Sequence, residues 1–310
     1  MSAPARSELH LPAGAAATHG YDLEVTPAVA GWTHSSLRTL TLPAGAAHTL
    51  DTGDEEMIVV PLSGGVTVTD GTTEYVLSGR TDVFAGPTDV AYLPVRTTAT
   101  IRAAEGPAGR RSGAELDHPV RIALTGARTD VVLPFRHVPV ADVPVELRGA
   151  GRCSRQVRNF GAAGVFEAGS LIAVEVVTPS GNWSSYPAHK HDEETDTESA
   201  LEEIYYYEIA PGPHGEPGLG FHRTSGSPAG EVDLLVEVHD RDTVLVPHGW
   251  HGPCAAAPGH DMYYLNVMAG PGERAWKITD HPDQAWVRAT WADQAVDPRL
   301  ANPRLVSTDD

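Results

Sequence analysis

At 310 residues the chain is long enough to bury a full hydrophobic core and to hold two compact domains or one large one. Its net charge of -19, from 22 basic and 41 acidic residues, repels phosphate backbones and anionic headgroups, so nucleic acid is not an expected partner. Two cysteines, Cys153 and Cys254, are too few for a disulfide framework, and neither a membrane-spanning apolar run nor a signal-type stretch in MSAPARSELHLPAGAAATHG is present, so a cytoplasmic location is expected.

Short apolar or alternating runs, separated by Gly, Pro, Asp and Thr, recur from about Leu37 to Val267, and helical periodicity is scarce. The chain therefore reads as mostly β. In chain order, strands are expected at 57–61, 65–69, 90–94, 171–178, 204–209, 234–239, 244–247 and 262–268. One short helix is expected at 281–291, with Asp280 as its cap and Pro282 in its first turn. His10, His19, His34, His118, His137 and His281 stand singly and carry little weight as ligands.

Two blocks recur in the same order at nearly the same separation. DEEMIVVPLSGG, from Asp54, resembles LEEIYYYEIAPG, from Leu201, and DVAYLP, from Asp89, resembles DTVLVP, from Asp242. This suggests duplication of a β unit, with Glu56 aligned on Glu203. The expected division is 1–147 and 148–310. Only the second copy carries the ligand-type histidines, since the first has no HxH before Glu56 and has Pro94-Val95-Arg96 where the second has Pro247-His248-Gly249-Trp250-His251. The first copy then keeps the scaffold without a metal and serves packing, lid formation or subunit contact.

The histidines carry the chemistry. His189 and His191 stand two apart, a spacing that shares one face of a strand but not of a helix. Asp192 to Ala200 is too polar for a strand interior and reads as a loop that returns Glu203 beside them. His251 follows the PHGWHG turn. Three imidazoles and one carboxylate suit a first-row divalent cation such as Zn, Mn, Fe or Ni. On the later strand Met262, Tyr264, Asn266 and Met268 share a face, so Tyr264 and Asn266 are expected to reach the same cavity. Lys190 is expected to face away into solvent, and Cys254 to pack.

RGAGRCSRQVRNF, from Arg148 to Phe160, concentrates four arginines, and arginine's planar fork suits a carboxylate. Strand alternation prevents all of them from facing one cavity. Arg155 is favoured slightly over Arg158.

HxH, a later Glu, and a Pro-x-Gly turn before His resemble the cupin signature. SYPAHKHD, LEEIYYY, VLVPHGWH, YYLNVMAG and RGAGRCSRQVRNF, with PLSGGVTV and GRTDVFAGPTDVAYLP, resemble the 5-deoxy-glucuronate isomerase family of myo-inositol breakdown. That family comprises two-cupin isomerases related to the 5-keto-4-deoxyuronate isomerases of pectin breakdown. The resemblance implies an all-β fold of two tandem cupin-type barrels with a short C-terminal helix, and conversion of 5-deoxy-D-glucuronate, a uronate sugar, to 5-dehydro-2-deoxy-D-gluconate. The cupin ligands fall on His189, His191, Glu203 and His251. The turn is one residue shorter than the general cupin form, and Asn266 lies further from its histidine than usual.

In such a reaction a proton leaves C2 and another arrives at C1 through an enediolate, with the cation as Lewis acid. Tyr264, Glu203 and His248 are the candidate proton shuttles. Arg155, Arg158 and Asn266 are the candidate substrate-binding residues. Competing readings are a related uronate ketol-isomerase, a metal-dependent oxygenase and a non-catalytic sugar-binding module. A homo-oligomer is expected from the general prevalence of symmetric assemblies.

Overall fold

The computed structural model describes residues 6–105 and 119–301, so His118 lies outside the described residues. Its first ten strands are β1 (His10–Leu11), β2 (Leu23–Val25), β3 (Ser35–Leu42), β4 (Ala47–Asp51), β5 (Glu55–Thr69), β6 (Glu74–Arg80), β7 (Val90–Leu93), β8 (Thr98–Ala103), β9 (Val120–Arg128) and β10 (Arg136–Val138). Twelve follow: β11 (Val145–Arg148), β12 (Arg155–Gly161), β13 (Ile172–Thr178), β14 (Trp183–Ser184), β15 (His189–Lys190), β16 (Glu202–Ile209), β17 (Gly220–Ser227), β18 (Gly230–Val238), β19 (Thr243–Val246), β20 (Trp250–Ala256), β21 (Met262–Ala269) and β22 (Thr279–Asp280).

The architecture is all-β, in two barrels with matching strand order. One face of the first runs β7-β5-β9-β3, and the corresponding face of the second runs β19-β16-β21-β13. The expected strands at 57–61 and 65–69 are one long bent strand, β5, whose register shifts at Pro61/Ser63 let it serve both sides of its barrel. β1 pairs not with its own half but with β19, so the start of the described chain completes the second barrel's sheet.

Alternation along β5 sorts the core. Met57 and Val59 point into the first barrel with Ala91, Leu93, Ile122 and Leu124, filling it with apolar side chains. Ile58, Val60 and Leu62 point outward and join Ile204, Leu265 and Val267 of the second unit in one continuous core. β3 and β9 lie against β16 and β21, so the two barrels bury these faces against each other.

Charged groups are buried between the barrels. Arg80 donates to both carboxylate oxygens of Glu175, and Arg158 lies 3.5 Å from the same carboxylate. Glu56 accepts from the backbone N–H groups of Gly169, Ser170 and Leu171, at 2.6 to 2.8 Å, and from the Tyr92 hydroxyl. Glu202 returns the arrangement, accepting from the N–H groups of Thr33, His34 and Ser35 at 2.8 to 3.0 Å. The clasped segments stand immediately before or at the start of equivalent strands, β13 and β3.

This reciprocity corrects the repeat by one residue. Met57 pairs with Leu93 and Glu203 with Val246, and Leu93 and Val246 keep the spacing of Asp89 and Asp242. Met57 is therefore the counterpart of Glu203, and Glu56 that of Glu202.

The expected helix at 281–291 shrinks to Val287–Thr290, continued by a 3-10 turn at Trp291–Asp293. Asp280 does not cap it, because its carboxylate is held by Nε and Nη2 of Arg288. Among the described residues no helix is long and apolar enough to cross a membrane.

Candidate metal centre and cavity

The site forms between the two sheets of the second barrel. His189 lies on β15 directly opposite His251 of β20, while Glu203 comes from β16 on the facing sheet. The polar loop after His191 is folded back by its own side chains. Glu198 accepts from the N–H groups of Asp192 and Glu193 and from Lys190 Nζ, at 2.7 to 3.2 Å. Asp192 in turn accepts from Gly249 N at 2.8 Å, which ties the HxH segment to the turn that delivers His251. Gly249 has φ 102°, and a Cβ there would stand 2.5 Å from the Ser225 carbonyl oxygen, so only glycine fits.

Lys190 faces away from the imidazoles as alternation requires, but it is not a solvent lysine. It is 4% exposed, surrounded by Asp192, Glu193 and Glu198 and set over the Trp250 ring. Acidic neighbours supplied by the loop make its burial tolerable.

The three imidazoles share one arrangement. Nδ1 of His189, His191 and His251 lies 3.4, 3.1 and 2.9 Å from the carbonyl oxygens of Pro187, Leu201 and Gly249. A carbonyl only accepts, so each Nδ1 carries the proton and each Nε2 presents a lone pair. One nitrogen from each ring lies within 4.8 Å of those of the other two. Glu203 Oε2 stands 3.0 Å from His191 Nε2 and 3.1 Å from His251 Nε2, and the latter atom is buried without an aligned hydrogen bond.

The electrostatics reflect how closely these groups are crowded. Burial and the two neighbouring imidazoles push His189 well below the usual histidine range. Burial also opposes charge on Glu203, but the closeness of His191 and His251 outweighs it and holds the carboxyl well below its usual range. For His191 burial is outweighed by Glu203, and the shift is upward. Lone pairs and an anionic oxygen gathered in a buried space repel one another unless a cation lies among them. The residues present therefore fit a divalent ion.

Of these groups His189 and Glu203 open onto a cavity of about 560 Å³. Arg155, Tyr264 and Asn266 line it together with His189 and Glu203. Asn266 is 4% exposed and its Nδ2 has no partner among the described residues, leaving a buried donor at the cavity wall. Arg155 is 6% exposed; Nη1 donates to the Cys153 carbonyl, and among the described residues no carboxylate pairs with it. Burial pushes its guanidinium down to about 10.

Two expected site residues are elsewhere. Arg158 falls on the opposite face of β12, fully buried, donating to Gln156 Oε1 and the Val83 carbonyl on the barrel-to-barrel side. Strand parity separates it from Arg155. His248 is not in the cavity wall; its ring packs on Gly230, where a Cβ would stand 2.9 Å from Cε1.

The cavity also contains groups that motif spacing does not reveal. Glu146 is paired with Arg148, and Asp280 with Arg288, each pair set at the wall. Ser185 joins them from the irregular segment after β14. Cys254 packs as expected, beneath the Tyr207 hydroxyl at 3.2 Å.

Two tandem β-barrels, one filled by an apolar cluster and one enclosing convergent imidazoles and a carboxylate, define a bicupin with one candidate metal centre among the described residues. The fold is shared with the oxalate decarboxylase of Lactobacillus farciminis at a TM-score of 0.58 and 12% identity, over 88% of each chain. A structure of an IolB-like protein from Salmonella typhimurium superposes at a TM-score of 0.79 with 32% identity, covering 90% of this chain and 98% of that one. The family model KduI/IolB matches residues 9–287, and the chain belongs to the KduI/IolB family. Among curated relatives, 5-deoxy-glucuronate isomerase of Geobacillus kaustophilus is 36% identical over 91% of this chain and 95% of its own length. The protein of the same name from Bacillus subtilis strain 168 is 34% identical over 85% and 91%.

Proposed function

We propose that the protein is an isomerase of 5-deoxy-D-glucuronate, as its relatives' name indicates, and that it works as an aldose–ketose isomerase giving 5-dehydro-2-deoxy-D-gluconate, with a divalent cation held by His189, His191, Glu203 and His251. The observation that carries the metal reading is the common tautomer of three buried imidazoles, whose lone pairs meet beside one carboxylate. Zn or Mn is the ion proposed first and Fe or Ni next, all of them compatible with a mixed set of imidazole nitrogen and carboxylate oxygen. When bound, the ion supplies Lewis acidity that stabilises negative charge developing on substrate oxygen.

The chain's own residues do the rest. Arg155, a buried guanidinium with no carboxylate partner among the described residues, captures the uronate carboxylate and supplies a local attraction in a strongly acidic protein. Asn266 Nδ2 donates to a substrate oxygen. Burial raises the Tyr264 phenol, which therefore stays neutral and exchanges protons with oxygen rather than taking one from carbon. Glu203, held well below the usual carboxylate range, is a weak acceptor for the C2 proton, so any role there is secondary to holding the cation. The division at 147/148 belongs to the same reading, with a scaffold barrel and a working barrel. So do a cytoplasmic location and a symmetric homo-oligomer.

The test is anaerobic incubation of the zinc-loaded protein with 5-deoxy-glucuronate in D₂O, followed by NMR. Product carrying deuterium at C1 is the expected result. Absence of turnover without oxygen would favour an oxygenase, and saturable binding without product a sugar-binding module.

A further inference from the structure

Ser185 is one of four non-glycine residues among those described that hold a positive φ, here 44°. Left-handed backbone is costly for such a residue and points to a constraint at that place. Gly252 supplies it: a Cβ at Gly252 would stand 1.7 Å from the Ser185 carbonyl oxygen, so the two backbones close on each other only because a side chain is missing. The held conformation sets Ser185 Oγ 3.2 Å from the Tyr205 hydroxyl and 3.2 Å from the Tyr264 hydroxyl. All three residues are buried and all three line the cavity.

Aldose–ketose isomerisation moves two protons. One passes from C2 to C1. The other passes between oxygens, because the C2 hydroxyl becomes a carbonyl while the C1 carbonyl becomes a hydroxyl. We propose that Tyr264, Ser185 and Tyr205 form a hydroxyl relay that carries this second proton from O2 to O1. The proposal rests on the isomerase reading above.

The sheet order β16-β21-β13-β12 puts Arg155 nearer the strand of Tyr264 than that of Tyr205, so the uronate end of the sugar is set towards Tyr264 and O2 lies nearer that hydroxyl than O1 does. O2 gives its proton to the Tyr264 oxygen, Tyr264 gives its own to Ser185, Ser185 to Tyr205, and Tyr205 to O1. The O2–H bond breaks, an O1–H bond forms, and each relay hydroxyl loses one proton and gains one. No member is left charged. The reverse reaction runs the same chain backwards.

Ser185→Gly is the informative variant, because glycine accepts the left-handed backbone while removing the hydroxyl. In the metal-loaded enzyme kcat is expected to fall by roughly 10²-fold, the size of a lost acid–base contribution, with KM and metal content little changed. A packing defect would also slow turnover, so the deciding readout is the proton inventory of kcat in H₂O/D₂O mixtures. Wild type is expected to give a bowed inventory from several protons in flight, and Ser185→Gly a linear one. Tyr205→Phe and Tyr264→Phe each remove one hydroxyl and should also straighten the curve, which covers the case of a glycine variant that does not fold. Wild-type kcat or an unchanged bowed curve in these variants overturns the relay alone. A wild-type protein inert towards the uronate overturns the isomerase reading and the relay with it.

Discussion

At one register position the two barrels hold opposite chemistry. Met57 and Glu203 occupy equivalent places on β5 and β16 and both point inward, one into an interior filled by aliphatic side chains, the other towards three imidazoles and an open cavity. One residue earlier, Glu56 and Glu202 do the same work in both copies, each clasping three backbone N–H groups of the opposite unit. The difference teaches that the outward faces keep the pair together, while the inward faces are where the copies have parted.

Substitution at the paired positions gives the largest contrast. Glu203→Ala is expected to lower kcat/KM by at least about 10³-fold, since Lewis-acid catalysis is worth several kcal/mol and about 1.4 kcal/mol is tenfold. Met57→Ala is expected to destabilise the fold by about 2–5 kcal/mol through a core cavity, with kcat unchanged at a temperature where the protein is folded. Denaturant titration and steady-state kinetics on both proteins check the pair; an active Glu203→Ala would break the contrast.

Glu175 binds the barrels by charge rather than by a clasp. Glu175→Gln leaves Arg80 and Arg158 buried without their anion and is expected to cost about 3–5 kcal/mol by denaturant titration. A change near zero would mean that apolar packing alone joins the units.

Arg155→Ala is expected to reduce kcat/KM by the equivalent of about 1.5–3 kcal/mol, a lost charged hydrogen bond, while Arg158→Ala acts on stability instead. Equal kinetic losses in both would contradict the placement of Arg158 on the outer face of β12.

The smallest effects belong to the clasps. Glu56→Gln should cost about 1–3 kcal/mol, because a carboxamide turns a donor towards N–H groups that need acceptors. Glu202→Gln should cost less, since Glu202 is only partly buried and water can replace it. Thermal melts of the two variants compare them directly.

The sequence made the strands and the inward set legible where period two alone decides direction. His189, His191, Glu203, Tyr264 and Asn266 all face the site by parity, and the loop between His191 and Glu203 is polar enough to be seen. What stayed hidden depends on pairing between distant segments. Whether Arg155 or Arg158 faces inward is set by the register of β12, not by its composition. The same one-residue ambiguity put Glu56 opposite Glu203, because the two EE pairs match as letters but not as ladder positions. Lys190 looked solvated because its partners Asp192 and Glu198 come from a loop that folds back over it. Asp280 looked like a cap because Arg288, eight residues on, cannot be seen to claim it.

The central claim is that three imidazoles and one carboxylate of the second barrel hold a single cation required for turnover. Elemental analysis and activity measured on the same samples of wild type and His251→Ala test it most directly. The account predicts about one equivalent of divalent metal in active wild type, and neither metal nor turnover in a His251→Ala protein whose far-UV circular dichroism is unchanged. Full activity in either protein after its metal has been stripped would contradict it.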